Sequence, residues 1–418
     1  GEDDGATISD LLVGELIIGG ARDVVVENLT VPVGGSLGLC IGYSVGLLVK
    51  DCSLTGVDQG IYLKGCQGSV LQDNRYSDDG IGAELVQCND SQSQGEAYED
   101  CSNGLIIYDS RDIMVKEAES QGCDIGISIQ RSQDCRVQGS LGQYDAVGCS
   151  VEASSGNLLE DNHWSGCEIG AQLQQDSGST VRSDVMDLCL IGVYLEGCIG
   201  TALDKNRFEV CKTGVVSNRS IAFSMDGDWH SNGSEAVRIM GGGNGSVSAC
   251  MVDHCSIGLM VEDSWNNDLS ACEISNCSEE AIIIRGGQGN DLSANDVNDT
   301  SRGLLLETTE GNTLHGNHLH KVLEYAIMLN ATYGTNLQEN NIIQCFLGIV
   351  LLASEHNLIL NNTAEGCFDG MLLRGSNGNL IIANQQLWSS RYGIALFDSM
   401  ENELTHNNIS FSSNYGLG

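Results

Sequence analysis

Apolar and polar residues alternate along most of this chain, in short runs that follow a recurring glycine. In CFLGIVLLASEHN, residues 345–357, the apolar residues Ile349 and Leu351 stand one and three places after Gly348. Alternation of this kind over a few residues predicts a β-strand with one buried face. The segment CFDGMLLRGSNGN, residues 367–379, repeats the arrangement around Gly370. An interval of about 22 residues between the two copies predicts a repeat architecture.

The same anchor position recurs along nearly the whole chain. Nine glycines from Gly38 to Gly214 follow one another at a single constant interval, and every later or earlier step keeps that interval or exceeds it by one. The anchors are Glu15, Gly38, Gly60, Gly82, Gly104, Gly126, Gly148, Gly170, Gly192, Gly214, Ala236, Gly258, Ala281, Gly303, Ala326, Gly348, Gly370, Gly393 and Gly416.

Each repeat carries two further apolar columns and two asparagine columns at fixed distances from its anchor. Apolar residues stand eleven and sixteen places after it, as in Leu292 and Phe208, and asparagines stand nine and fourteen places after it, as in Asn357 and Asn317. A unit with three short strands and no helical period cannot bury its own apolar face, so the units must stack. The sequence therefore predicts an all-β fold, a right-handed single-stranded parallel β-helix (solenoid) of about 18 coils over residues 15–418. Residues 1–14 are predicted as an N-terminal segment and possible cap.

The pattern N-x-L…N…(C/S)-x-x-G-I-x-L resembles the parallel β-helix repeat family, which includes NosD-like proteins, pectin-lyase-like enzymes and many archaeal surface proteins. The resemblance covers residues 15–418 and implies the fold much more than the function. With acidic, cysteine-rich coils and no long loops, the chain looks most like an archaeal cell-surface protein, in particular a sheath protein of methanogens.

Composition narrows the possible partners and the compartment. The net charge of −38 argues against nucleic acid, which requires basic surfaces, and is compatible with binding of divalent cations. No apolar run is long enough for a transmembrane segment. The first residue is Gly, so we expect that an upstream segment has been removed or left out. We predict an extracellular, cell-surface or cell-envelope location.

The 18 cysteines fall into columns, which makes neighbouring pairs candidates for disulfides. Coils stack about 4.8 Å apart, within the range of Cα separations that a disulfide spans. The alternative is a ladder of buried, reduced thiols that act as small apolar groups. Cys40 lies on the outward side of its strand, which makes it the candidate for an intermolecular disulfide. The other candidates are Cys66, Cys88, Cys101, Cys123, Cys167, Cys189, Cys211, Cys250, Cys272, Cys255, Cys277, Cys345 and Cys367.

Candidate catalytic and metal-binding motifs are few. In MDGDWHSNG, residues 225–233, a strand would point Asp226, Asp228 and His230 the same way, although a polar turn is the alternative. His318 and His320 share one strand face and suit copper or zinc, but no further ligand stands close in sequence. GGQGNDLSA, residues 286–294, matches part of a calcium-binding nonapeptide and is interpreted as a turn. We therefore predict no enzyme activity, catalytic residue, metal or cofactor.

One column that faces outwards is apolar in seven consecutive coils, and it predicts an interface. A continuous exposed apolar patch on a soluble protein usually marks an interaction site. The chain also stops at Tyr415-Gly416-Leu417-Gly418, two residues into a new coil, where an open strand edge could template another copy. The seven predicted interface residues, called here the outer apolar column, are Met260, Ile283, Leu305, Met328, Val350, Leu372 and Ala395.

These observations together favour a structural, self-assembling cell-envelope protein without catalysis, whose partner is itself in a homopolymer, ring or filament. The first alternative is a carbohydrate-active or carbohydrate-binding β-helix protein, which a groove would support. The second is a NosD-like metal-handling protein, which a metal at His318 and His320 would support.

Overall fold

The computed structural model of the chain describes residues 5–410 and the backbone of the strand at 415–417. It confirms an all-β parallel β-helix of about 18 coils. The chain divides into two compact units, Gly1–Lys212 and Thr213–Gly418, and each is described by itself. Within each unit, every coil contributes one long strand and two short strands to three parallel sheets, called here the long-strand sheet, the second sheet and the third sheet.

In the first unit, the strands of the three sheets recur at the interval that the anchors predict. The long-strand sheet contains Leu16–Gly19, Leu37–Gly42, Gln59–Lys64, Ile81–Val86, Asn103–Tyr108, Ile125–Gln130, Val147–Glu152, Ile169–Gln174 and Ile191–Glu196. The second sheet contains Thr7–Ser9, Val25–Glu27, Leu48–Lys50, Val70–Gln72, Gln92–Gln94, Met114–Lys116, Arg136–Gln138, Leu158–Glu160, Thr180–Arg182 and Ala202–Asp204. The third sheet contains Thr30–Val31, Ser53–Thr55, Arg75–Ser77, Ala97–Glu99, Glu119–Gln121, Leu141–Gln143, His163–Ser165, Val185–Asp187 and Arg207–Glu209.

The second unit has the same three sheets. Its long-strand sheet contains Thr213–Asn218, Glu235–Met240, Ile257–Glu262, Glu280–Arg285, Arg302–Glu307, Tyr325–Asn330, Leu347–Leu352, Asp369–Arg374, Tyr392–Phe397 and Tyr415–Leu417. The second sheet contains Ser224–Asp226, Ser246–Ser248, Asp268–Ser270, Asp291–Ser293, Thr313–His315, Asn336–Gln338, Leu358–Leu360, Leu380–Ile382 and Glu403–Thr405. The third sheet contains Trp229–Ser231, Met251–Asp253, Glu273–Ser275, Asp296–Asn298, His318–His320, Asn341–Ile343, Thr363–Glu365, Gln385–Leu387 and Asn408–Ser410.

Strands that are one coil apart pair in parallel, with equivalent positions of the repeat opposite each other. Leu304 pairs with Ile327, and Ile327 pairs with Ile349, so the apolar columns of the sequence lie directly over one another. These side chains are fully buried. The first described strand, Thr7–Ser9, pairs with Val25–Glu27 inside the segment that was predicted as a possible cap.

The buried asparagines form ladders along the coils, as the asparagine columns predict. The Asn317 side-chain amide donates to Asn340 Oδ1 at 2.9 Å, and the Asn340 amide donates to Asn362 Oδ1 at 2.8 Å. Each of these oxygens also accepts a backbone N–H from the preceding coil, at 3.0 Å in both cases. The ladder therefore satisfies polar groups that the turns would otherwise bury without partners.

No helix among residues 5–410 and 415–417 is long and apolar enough to cross a membrane. The predicted open edge at the end of the chain falls partly on residues 411–414 and 418, which lie outside the described residues.

Candidate functional site

A groove runs along the second unit at the turns that follow the strands of its long-strand sheet. It has two parts of about 500 Å³ each, which share the lining residue Thr308, and the two parts together are called here the axial groove. The aromatic part is lined by Trp265, Gly287, Gln288, Thr308, Thr309, Glu310, Ala331 and Tyr333. The charged part is lined by Asn218, Arg219, Met240, Gly241, Glu262, Asp263, Arg285, Gly286 and Thr308.

The groove follows the coils because its turn residues repeat at one position of each coil. Arg219, Asp263, Thr308 and Ala331 all have left-handed backbone, with φ of 52°, 48°, 54° and 52°. The next exposed column, from Trp265 through Gln288 and Glu310 to Tyr333, is joined by parallel β-bridges. At about 4.8 Å per coil, the six coils from Arg219 to Ala331 give a track of about 24 Å.

Trp265 forms the floor of the aromatic part. A Cβ atom added to Gly243 would lie 2.5 Å from Trp265 Nε1, which means that the indole lies against the backbone of the preceding coil where no side chain intervenes. The indole is 39% exposed, so the surface away from Gly243 is available to a ligand. Tyr333 is 50% exposed, and its ring is held by an edge contact with His356 at 5.2 Å between centroids.

The charged part is close to electrical balance. Arg285 Nε lies 3.1 Å from Glu307 Oε2, and Arg238 donates from Nε and Nη2 to Glu262 Oε2 at 3.0 and 2.7 Å. The remaining two charges of this part belong to Arg219 and Asp263. Exposed ion pairs of this kind contribute little to stability, about 0–1 kcal/mol each. Their main effect here is to neutralise this half of the groove.

Thr309 supplies a polar atom without a hydrogen bond in the wall of the aromatic part. The residue is 5% exposed, and its Oγ1 has no hydrogen-bond partner among the residues that the structure describes. In neighbouring coils, the residues at the position of Thr309 form hydrogen bonds from one coil to the next. Ser354 Oγ, for example, accepts the backbone N–H of Thr332 at 3.2 Å. The glycine at this position in the preceding coil, Gly287, interrupts the column next to Thr309.

The start of the sequence motif at 286–294 contributes to this groove. Gly286, Gly287 and Gln288 line it, Gln288 lies in a β-bridge, and Asp291–Ser293 form a strand of the second sheet. The interpretation of the motif as a turn stays a prediction. Sequence reasoning did not find the groove, although its signal is present: Trp265 and Tyr333 both stand seven places after an anchor, in a column that otherwise holds polar residues in these coils.

The predicted alignment of Asp226, Asp228 and His230 is wrong. Asp226 is exposed, whereas Asp228 and His230 are buried, because the turn at Gly227, with φ of 68°, interrupts the alternation between the two strands. Burial lowers the pKa of His230 to about 3, so its imidazole is neutral at physiological pH. These three side chains do not form an acid–base group at the surface.

His318 and His320 lie on one strand of the third sheet, as predicted. His318 is exposed, and His320 Nε2 lies 3.2 Å from Gln344 Oε1. Copper sites in proteins draw on imidazole, thiolate and thioether ligands. Within the described part of the chain, no three His, Cys, Asp or Glu side chains come together in a way that could hold a metal ion.

The cysteines occupy the predicted columns, and the structure describes the disulfide candidates as free thiols. Seventeen of the 18 cysteines are buried, and Cys40 is half-buried. Their sulfurs lie near backbone carbonyls, as Cys345 Sγ does to Ile343 O at 3.4 Å. Burial raises the pKa of Cys52 and Cys135 to about 11, which makes these thiols poor nucleophiles. The pairing of the candidate cysteines, and the role of Cys40 between molecules, stay predictions.

The outer apolar column is covered within the second unit rather than exposed. Met260, Ile283, Leu305 and Val350 form a cluster with Tyr325, in which the largest exposed fraction is 7%. Ile257, Leu347 and Leu352 pack against its sides together with Met328. Ala395 is fully buried, and Leu372 is half-buried. The predicted contact between copies through this column stays a prediction, but the exposed apolar patch on which that prediction was based is not present in the column.

The class of protein is therefore a parallel β-helix with an open groove on one of its two units. The chain belongs to the family described as periplasmic copper-binding protein (NosD), whose family model matches residues 16–128, 80–223, 192–345 and 320–418. A comparison with curated proteins finds no match. Although the family is named for copper, the absence of a ligand group of three or more among the described residues means that the side chains do not fit a resident copper site.

Solved structures share the fold at low identity. The pre-mature gene product 12 of bacteriophage phi29 has a TM-score of 0.50 at 9% identity, covering 93% of this chain and 70% of its own. A mannuronic acid specific polysaccharide family 6 lyase from human gut microbiota has a TM-score of 0.43 at 12% identity, covering 79% and 81%. A double mutant of the periplasmic alginate epimerase AlgG has a TM-score of 0.42 at 9% identity, covering 77% of each chain.

The prediction of a structural, self-assembling envelope protein is wrong. The family to which the chain belongs is described by copper binding in the periplasm and not by a structural role in an envelope. The physical reason for the error is the outer apolar column, which carried the prediction and is buried within its own unit.

Proposed function

We propose that this protein binds a carbohydrate polymer in the axial groove of its second unit, in the cell envelope or outside the cell. The observation that carries this proposal is the pair of exposed aromatic residues that line the groove: the indole of Trp265 lies on Gly243, and Tyr333 lies three coils further along the same column. Pyranose rings present a face of C–H groups that stacks on an aromatic ring, while their hydroxyls hydrogen-bond around the rim. Trp and Tyr suit this task because each combines a large apolar surface with a polar handle.

The length and regularity of the groove support an extended ligand. The groove is shallow, open to solvent and repeats its turn residue at each of six coils. A small ligand is usually held in a concave pocket that buries most of its surface. A track of about 24 Å with a repeat of about 4.8 Å suits a linear chain of similar units better than a single small molecule.

Binding without chemistry is part of the proposal. The strongest candidate for acid–base catalysis, the segment that contains Asp228 and His230, does not present these two side chains at the surface, because both are buried. Among the described residues, the ionisable side chains that line the aromatic part of the groove are Glu310 and Tyr333. To test for activity, the protein is incubated with each glycan that it binds, and new reducing ends and unsaturated products are measured. We expect no new reducing ends and no unsaturated products.

The test of binding is affinity electrophoresis through gels that contain soluble polysaccharides, followed by titration of tryptophan fluorescence. We expect at least one polysaccharide to retard the wild-type protein and to change its fluorescence, and we expect Trp265→Ala to abolish both effects. Trp388→Ala is the matched control, because Trp388 is 56% exposed and does not line the groove. The proposal fails if no polysaccharide is retained, or if Trp265→Ala and wild type bind equally.

A further inference from the structure

The aromatic part of the axial groove carries negative charge that no basic residue neutralises within the described part of the chain. Glu310 lies in the exposed column between Trp265 and Tyr333, and Glu355 follows Tyr333 in the same column. Both glutamates are exposed, and neither forms an ion pair with any residue that the structure describes. In the charged part of the groove, by contrast, Arg285 forms an ion pair with Glu307, and Glu262 forms one with Arg238.

Resting on the proposed function, we propose that the ligand of this groove is a glycan with free amino groups, an amino-sugar polymer, and not a uronate polymer. Along the column, Trp265 is followed by Gln288, Glu310, Tyr333 and Glu355, one in each coil. The two aromatic rings therefore each have a carboxylate one or two coils away. An amino sugar offers the matching pair of features, a C–H face for the ring and a protonated amine for the carboxylate. The ammonium group also gains from the aromatic faces beside it.

The net charge of the whole chain also favours an amino-sugar polymer over a uronate polymer. A net charge of −38 attracts a cationic polymer and repels a polyuronate before contact. Adsorption driven by net charge alone would take place anywhere on the surface. A specific site is distinguished from such adsorption by its dependence on Trp265 and Glu310, which both line the groove.

The test compares hexasaccharides that share one β-1,4-linked glucose-type backbone and differ only at carbon 2. These are the glucosamine hexamer, the N-acetylglucosamine hexamer and the glucose hexamer, with an oligouronate of equal length as a fourth probe. Binding to the full chain is measured by titration calorimetry at low salt, at a pH where the amines are protonated. We expect the glucosamine hexamer to bind about tenfold more tightly than the neutral hexamers, and added salt to reduce the difference.

Two charge variants locate the effect. Glu310→Gln should weaken binding of the glucosamine hexamer about 2- to 5-fold, the range for one exposed ion pair, and leave the neutral hexamers unaffected. Glu273→Gln removes an equally exposed carboxylate from the third sheet and should change nothing. Trp265→Ala should abolish specific binding of all hexamers.

The outcomes separate this inference from the proposed function. If a neutral hexamer or the oligouronate binds as tightly as the glucosamine hexamer and needs Trp265, the inference is overturned while carbohydrate binding stands. If the glucosamine hexamer binds but neither Trp265→Ala nor Glu310→Gln weakens it, the polymer is adsorbed by charge alone, and the inference is also overturned. If no hexamer and no polysaccharide binds, both proposals fail.

Discussion

Glu96 of the first unit makes the stability of this protein depend on pH in a direction that can be calculated. It occupies an asparagine position of the buried ladder and is fully buried. Tyr76 Oη donates to Glu96 Oε2 at 2.7 Å, and the Asn74 side-chain amide donates to Oε1 at 3.0 Å. Burial raises the pKa of Glu96 to about 8, against an ordinary value of 4.5, and these hydrogen bonds only partly oppose the rise.

The sign follows from proton linkage. Because the folded state holds its proton more tightly than the unfolded chain, the contribution to stability is complete below about pH 4.5 and is lost as the pH rises through about 8. A difference of 3.5 between the two pKa values corresponds to on the order of 5 kcal/mol at 1.36 kcal/mol for each. Glu96→Gln keeps the shape and an oxygen that can accept from Tyr76, and it cannot ionise.

The assay is denaturant unfolding of wild type and Glu96→Gln at about pH 5 and about pH 9, on either side of the folded pKa. We expect the wild type to lose several kcal/mol more stability between the two values than the variant. Glu99→Gln is the control, because Glu99 lies three residues further along the chain, at the end of the strand Ala97–Glu99, and is exposed. Equal losses in wild type and Glu96→Gln would refute the reasoning, since other buried carboxylates such as Asp184, whose pKa burial raises to about 7, are common to both.

Three further predictions concern the groove and the ladder. Gly243→Val should displace the indole of Trp265 from its place on the backbone, and shift its fluorescence while weakening glycan binding; an unchanged emission spectrum would contradict the packing. Thr309→Val should leave glycan binding intact and keep or raise the melting temperature, because the hydroxyl that it removes is buried and has no partner among the described residues; a lower melting temperature would contradict this. Asn340→Ala should destabilise the protein by about 2–4 kcal/mol, because the variant leaves the amide of Asn317 and a backbone N–H without their acceptor, and urea unfolding would measure it.

The fold was predictable because its determinants are periodic. A coil of nearly constant length places each apolar column over the next, so the alternation around Gly348 predicts both the strand and its register. The asparagine ladder was predictable for the same reason. Turn geometry was harder to predict, because one positive φ at Gly227 changes which side chains of MDGDWHSNG point inwards.

The candidate site was not predicted, for two physical reasons. The groove forms where turn residues such as Thr308 curve the backbone, and this shape is not encoded by hydrophobic alternation. The outward column of the long-strand sheet was read as exposed because a strand has two faces. In the structure, this column is covered by its neighbours one coil away and by flanking side chains such as Tyr325 and Leu347. This covering depends on the size of the side chains, which the periodicity of the sequence does not predict.

The constant position of the groove residues within each coil has an evolutionary consequence. Duplication or loss of one whole coil changes the length of the track by one step of about 4.8 Å and leaves the register of every other coil intact. A single extra residue is tolerated, as in the step from Asn317 to Asn340, but a longer insertion within the strands would break the apolar columns and the asparagine ladder together. Selection on such a protein can therefore change the length of the groove in whole steps, independently of the side chains that line each coil.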